Sequence, residues 1–256
     1  MQFKLMAKMA VLSIFSFAGL FSFFGGREMP QHHFSGNEQS KTLDHSAWNT
    51  LLKKHVDLTG NVDYKAFKTD QATLTAYLDY LADSVPSENW TKEEGLAYYI
   101  NLYNAATVQL ILNNYPTKSI KDIKDPWGKE WVKIGDESYS LGDIEHKILR
   151  KMDEPRIHFA INCASFSCPK LLNEAYTAQK LENQLQQASK DFVNDPTRNI
   201  ISKEKLQLSN IFKWYKKDFT ENGNLIDYIK NYSHTDIDQK ANIKYLTYDW
   251  SLNEKK

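Results

Sequence analysis

The stretch TKEEGLAYYINLYNAATVQLILNNYP, residues 91–116, decides the fold. Thr91 stands three before Glu94, the spacing of a capping box, in which the two side chains satisfy backbone N–H groups that a helix start leaves free. A helix therefore opens here and runs to about Tyr115, where Pro116, with no N–H to donate, ends it. Most of its faces are apolar, and a helix that is hydrophobic on all sides has to be buried. The rest of the chain is expected to pack around it. Two residues run against the pattern. Asn101 and Asn104 lie three apart and share a face, yet asparagine prefers caps and turns to helix interiors. Each buried amide needs partners, since an unpaired one costs on the order of 1–3 kcal/mol. Either they bond the backbone of neighbouring loops and fix the packing, or they orient a catalytic histidine or bind substrate.

On the N-terminal side of this helix, residues 44–56 carry Trp48, Leu51, Leu52 and Val56 at helical spacing and stop at Gly60; Leu74, Tyr77, Leu78 and Leu81 repeat the pattern. On the C-terminal side, residues 131–134 and 138–140 flank Gly135-Asp136 and predict a hairpin. Residues 141–150 predict a helix, 157–162 a buried strand, and Leu181, Leu185, Ala188 and Phe192 a further helix. Two short strands around Lys203-Glu204 lead into an aromatic helix over 211–219, and 243–248 predicts a closing strand. Helices outweigh strands, without the regular alternation of a doubly wound sheet. The class is α+β, a predominantly helical single domain, over residues 43–253, with a small sheet of short strands.

The first residues carry a different signal. Lys4 and Lys8 precede an uncharged stretch over 9–24, and no acidic residue comes before Glu28, which is the layout of a secretory signal. The stretch falls short of the roughly 20 apolar residues of a comfortable membrane helix. Residues 1–26 are thus expected to be a signal peptide or an N-terminal anchor, and 27–42 a flexible segment. The expected location is the periplasm, cell envelope or exterior, with membrane contact only through an uncleaved N-terminus. Thirty-two basic residues balance 32 acidic ones, so charge gives no reason to expect nucleic acid as a partner. A small-molecule or peptide partner is left open, and no cofactor is implied.

Both cysteines fall in one block, HFAINCASFSCP, residues 158–169, with His158. On a regular strand His158 and Cys163 face opposite ways. Cys168 just precedes Pro169, and proline favours a first helical turn, so a helix over 169–175 would place Cys168 at its N-cap, where free N–H groups stabilise a thiolate. Folded back toward His158, Cys168 would be a nucleophile with its base. Three readings compete. Exported proteins meet oxidising conditions, so two close cysteines invite a Cys163–Cys168 disulfide. A zinc site with His158, Cys163, Cys168 and His146 matches no standard spacing. The third reading takes both cysteines as merely small buried hydrophobes.

Glu145 and His146 adjoin in the predicted helix over 141–150 and could serve as acid and base, but helix neighbours point about 100° apart; the default for Glu145 is a salt bridge to Arg150 or Arg156. His45 and His55 read as surface positions. Phe212, Trp214, Tyr215 and Phe219 at helical spacing read as core in preference to a sugar-stacking face, with Asp218 as the polar residue among them.

The runs YYINLYNA (98–105), SLGDIEHKILR (140–150), HFAINCASFSCPKL (158–171), LSNIFKWYKKDF (208–219) and YDWSLN (248–253) resemble the domain of unknown function 547 family. The resemblance covers about residues 48–253 and carries no assigned activity. Tyr98-Tyr99 stand where the family has Phe-Trp, and Ala164 where glycine is common. Two hypotheses follow from the whole reading. One is a thiol-dependent hydrolase or acyl transferase with Cys168 as nucleophile, His158 as base and Asn101 or Asn104 as orienter or oxyanion donor, supported by Cys163, Glu145, His146 and Asp218. The other is a non-catalytic binding or structural domain in which a Cys163–Cys168 bridge pins a loop that supports a groove.

Overall fold

Helix α4, Lys92–Asn114, is the axle of the structure. The computed structural model describes residues 43–256; the expected signal or anchor over 1–26 and the flexible segment over 27–42 lie outside the described residues. The capping box forms as the spacing requires, with Thr91 N–H donating to Glu94 Oε2 at 2.8 Å and Glu94 N–H to Thr91 Oγ1 at 3.2 Å. Tyr115 at the far end is extended (φ −76°, ψ 135°), as the residue before a proline must be. Between these ends almost every side chain of α4 is buried. Each fully buried Leu or Ile there contributes about 1.5–3 kcal/mol, so this helix carries a large share of the core.

Helices α1 (Ser46–His55), α2 (Tyr64–Phe67) and α3 (Gln71–Asp83) pack on its N-terminal side. The Tyr98 hydroxyl donates to the Leu81 carbonyl at 2.8 Å and ties α4 to the end of α3. His45 and His55, read as surface positions, are both buried: His45 Nδ1 lies 2.7 Å from the Tyr77 hydroxyl, and His55 Nε2 lies 2.6 Å from Asp70. An imidazole with one polar partner can be buried at little cost, which helical spacing alone does not reveal.

The expected hairpin is present as β1 (Val132–Ile134) antiparallel to β2 (Glu137–Tyr139). Ser140 then caps α5, Leu141–Asp143, again by a reciprocal box with Asp143. The helix expected over 141–150 is there but changes pitch, widening to a π turn over Ile144–Ile148 and tightening over Leu149–Lys151. Two readings are corrected. Residues 157–162 form no strand; Pro155–Phe159 is a 3-10 turn opened by proline at its first position, with the Glu154 side chain accepting from Arg156 N–H. No regular helix follows Pro169 either.

Helix α6, Leu181–Asn194, completes the helical layer. A second sheet joins β3 (Ile200–Ile201) antiparallel to β4 (Lys205–Leu208), and β4 parallel to β5 (Asn242–Tyr245). The aromatic helix expected over 211–219 is two short ones, α7 (Ile211–Trp214) and α8 (Lys216–Phe219), divided at Tyr215. Helix α9, Leu225–Lys230, follows. Phe159, Phe192, Phe212 and Phe219 stack beneath this part as a second core. The whole is a mostly helical α+β fold with two small sheets of short strands.

Candidate functional site

The block 158–169 is built by side chains that replace missing secondary structure. Asn104 Oδ1 accepts from Asn162 N–H at 2.8 Å while its Nδ2 donates to the Ala160 carbonyl at 3.0 Å. Asn101 does the same to one residue, Tyr176, at 3.0 and 2.7 Å. The two amides out of place in a helix therefore act as pairing partners for irregular backbone, which has no strand or helix neighbour to bond. Asn162 in turn accepts from Ala164 N–H at 2.8 Å and donates to the Pro169 carbonyl at 2.7 Å, closing the loop on itself.

The C-terminal segment zips onto this loop. Phe166 N–H donates to the Ser251 carbonyl, Ser167 N–H to Asp249 and Asn253 N–H to Ala164. Cys163 and Cys168 are joined by a disulfide, with their Cα atoms 6.2 Å apart. The free Cys168 thiolate expected at a helix start is thus corrected on two counts: its sulfur is bonded to Cys163, and no helix dipole points at it. The Cys163 N–H instead donates to Cys168 Sγ at 2.9 Å.

His158 is buried, with its Nε2 2.8 Å from Asp218 Oδ2 and its ring stacked on Tyr215 at 3.9 Å between centroids. Arg150 grips the same carboxylate by two bonds of 2.6 and 2.7 Å. Burial pushes the His158 pKa down, and the Asp218 hydrogen bond only partly offsets it. Burial alone would raise the Asp218 carboxyl, but the Arg150 and His158 bonds hold it well below the usual carboxylate range. The stable arrangement is an Arg150–Asp218 ion pair with a neutral imidazole whose Nε2–H donates to the carboxylate, leaving Nδ1 as an acceptor.

Glu145 projects from the π turn into the interior. Its two oxygens accept from the hydroxyls of Tyr103 (3.2 Å) and Tyr215 (2.5 Å). Burial and the Glu145 charge push both tyrosine pKa values up, so the protons stay on the phenols. The expected salt bridge of Glu145 to Arg150 or Arg156 is absent among the described residues, because Arg150 serves Asp218 and Arg156 serves Glu154 and Glu182. His146, on the next helical position, is half-exposed with Nδ1 3.8 Å from Glu145.

These groups meet in the lining of one cavity of about 260 Å³. Cys163, Cys168, His158, Glu145 and His146 all face it; Asp218 stands behind His158, and Asn101 and Asn104 are not in its lining. Its walls are aromatic: Trp127, Trp214, Tyr215, Tyr248 and Trp250. Tyr248 and Trp250 lie 4.6 Å apart between centroids, Trp214 and Tyr248 4.8 Å, and Trp214 and Trp250 5.9 Å. The Tyr248 hydroxyl lies 3.0 Å from Ser165 Oγ and 3.5 Å from Cys163 Sγ, which ties the aromatic wall to the bridged loop. Trp214 and Tyr215, read as core with Phe212 and Phe219, both line this cavity, and Tyr215 packs against the second core as well. Trp127, Tyr103, Tyr248 and Trp250 were not anticipated. Two of them, Tyr248 and Trp250, belong to the YDWSLN run.

The fold and the cavity define a class: a mostly helical domain in which a disulfide-closed loop and an aromatic wall enclose a pocket with a buried carboxylate. Residues 87–193, from just before α4 to the end of α6, match the model of the family described as protein of unknown function, DUF547, and this segment is a domain of that family. Trp214, Tyr215, Asp218, Tyr248 and Trp250 lie beyond the matched segment, so the pocket is completed by residues outside it. No curated protein and no solved structure matches the chain. Among the described residues no group of three or more His, Cys, Asp or Glu side chains is placed to hold a metal ion, and no helix is long and apolar enough to cross a membrane.

Proposed function

We propose that this protein is a small-molecule binding domain that works outside the reducing cytosol, with the Cys163–Cys168 bridge as the pin of its binding loop. The observation that carries this reading is that both sulfurs face the aromatic cavity and are bonded to each other. A concave, mostly apolar pocket with a few convergent polar groups is the usual form of a ligand site. Trp214 supports it further, being 47% exposed on the pocket rim, where a large apolar ring gains by being covered. The bridge supports an exported location, since disulfides persist in oxidising compartments. A thermal-shift screen of small organic molecules, run without reductant, tests the reading. Wild-type protein should be stabilised by at least one compound, and Trp214→Ala should lose that stabilisation while keeping its own melting temperature within a few degrees. A screen with no Trp214-dependent hit contradicts it.

A thiol-dependent hydrolase or acyl transferase is the second reading, favoured by the Asp218-held imidazole that lines the same cavity. It requires reduction of the bridge by a thiol reductant, two electrons and two protons giving two thiols. Cys168 or Cys163 would then pass its proton to His158 Nδ1 and form a thioester with the acyl carbon as the bond to the leaving group breaks and that group takes the proton; water or a second acceptor, deprotonated by His158, would cleave the thioester and restore the thiol. Ester or thioester cleavage by the reduced protein, abolished in His158→Ala and absent before reduction, would select this reading over the first.

A further inference from the structure

The pocket holds a carboxylate whose hydrogen bonds within the chain come from neutral groups and whose one ion-pair contact among the described residues is with half-exposed His146. The Glu145 side chain is only 7% accessible, and a carboxylate taken that far out of water is normally paired with a cation. Here both oxygens are bonded to neutral phenols instead. The nearest basic group, His146, is half-exposed and 3.8 Å away, beyond hydrogen-bond range. Arg150 lies with its guanidinium 5.4 Å from the Tyr215 ring, but its charge is taken up by the bidentate bond to Asp218. His158 is held neutral by burial.

The cavity that Glu145 lines is also walled by Trp127, Trp214, Tyr248 and Trp250. Aromatic faces carry a negative quadrupole and attract cations, by about 0.5–1 kcal/mol when exposed and about 2 or more when desolvated. One cation of the chain already stands at this wall, the Lys121 ammonium 5.2 Å from the Trp250 ring centroid. A cavity walled by these rings that also presents a buried carboxylate would repel an anion and give a neutral apolar molecule only its area. It suits an organic cation, whose charge meets Glu145 while its carbon shell packs against the rings.

We infer that the cavity's ligand is an organic ammonium ion, a quaternary or alkylated amine recognised by the aromatic wall and Glu145. This rests on the binding-pocket reading and adds the chemical class. Calorimetric titration of the bridged protein with choline, and with its uncharged isostere in which a tert-butyl group replaces the trimethylammonium, tests it on the unaltered chain. Choline should bind at least about tenfold more tightly, the factor that corresponds to about 1.4 kcal/mol. Trp214→Leu should weaken choline binding by about tenfold, and Glu145→Gln should erase the preference for choline over the isostere. Equal binding of the two compounds, sensitive to Trp214→Leu, overturns the ammonium assignment and leaves the pocket reading standing. No binding of either overturns the assignment, and the small-molecule screen then decides the pocket reading separately. Should Glu145→Gln fail to fold, the comparison of the two ligands on wild-type protein and on Trp214→Leu still decides the matter.

Discussion

Ala164 shows what a single position of the bridged loop demands. Its φ of 58° lies in the left-handed region, which L side chains enter at a cost of roughly 1–2 kcal/mol and glycine enters freely. The sequence resemblance places glycine commonly at this position, and the conformation explains why; alanine is the smallest side chain that can replace it, and Ala164 has its methyl fully buried. The histidines belong to the same scale and lead to a pH dependence. Burial lowers the pKa of His45 to about 4 against a weaker opposing pull from Asp44, and burial lowers that of His158 as well. An unfolded histidine takes up its proton near pH 6.5. Between about pH 4 and 6.5 the unfolded chain therefore binds more protons than the folded one, and the stability that neutral burial contributes is present above 6.5 and lost as pH falls through that window. For His45 alone the loss between pH 7 and pH 5 is about 2 kcal/mol. Urea unfolding of wild-type protein should record a fall of at least this size, and His45→Gln should show a smaller one. Equal slopes in the two proteins would remove His45 from the account.

At the scale of elements, α4 was legible because a capping box, a terminal proline and all-round hydrophobicity agree on one answer. The element that follows it in the site was not. Residues 157–162 read as a strand because apolar residues dominate them, yet their backbone bonds go to Asn104 and to a 3-10 turn started by Pro155. A short apolar run has the same letters whether it lies beside a strand or under a helix, so only the partner's identity decides. The oddity that could have decided it was present: two asparagines on one face of an apolar helix require backbone groups with nothing else to bond. Asn104→Leu should accordingly orphan the Asn162 N–H and the Ala160 carbonyl and cost about 2–6 kcal/mol of unfolding free energy, at about 1–3 kcal/mol per unsatisfied group. Chemical denaturation checks this, and a cost below about 1 kcal/mol would mean that water or another group takes over. The same reasoning accounts for α7 and α8. Periodicity over 211–219 correctly placed Phe212 and Phe219 in a core, but the break at Tyr215, invisible as a proline or glycine, sends Trp214 and Tyr215 to the pocket.

At the scale of the whole molecule, the site is assembled from pieces far apart in sequence. Glu145 comes from the π turn, His158 from a 3-10 turn, the cysteines from the loop, Trp214 and Tyr215 from the junction of α7 and α8, and Tyr248 and Trp250 from the C-terminal strap. Reactive residue types picked out Cys163, Cys168, His158 and His146 in advance, because the chain has only two cysteines and seven histidines; Glu145 and Asp218 were singled out by their neighbours in sequence. The aromatic wall was not foreseeable in the same way, since tryptophans and tyrosines occur throughout the core and nothing local distinguishes a lining ring from a packed one. The central claim is that the cysteine block is a closed, bridged wall of a binding pocket and not a free nucleophile. Native protein, kept without reductant, treated with iodoacetamide and weighed intact, tests it most directly. The account predicts no adduct before reduction and two after it; stoichiometric alkylation of Cys168 in the untreated protein would contradict it.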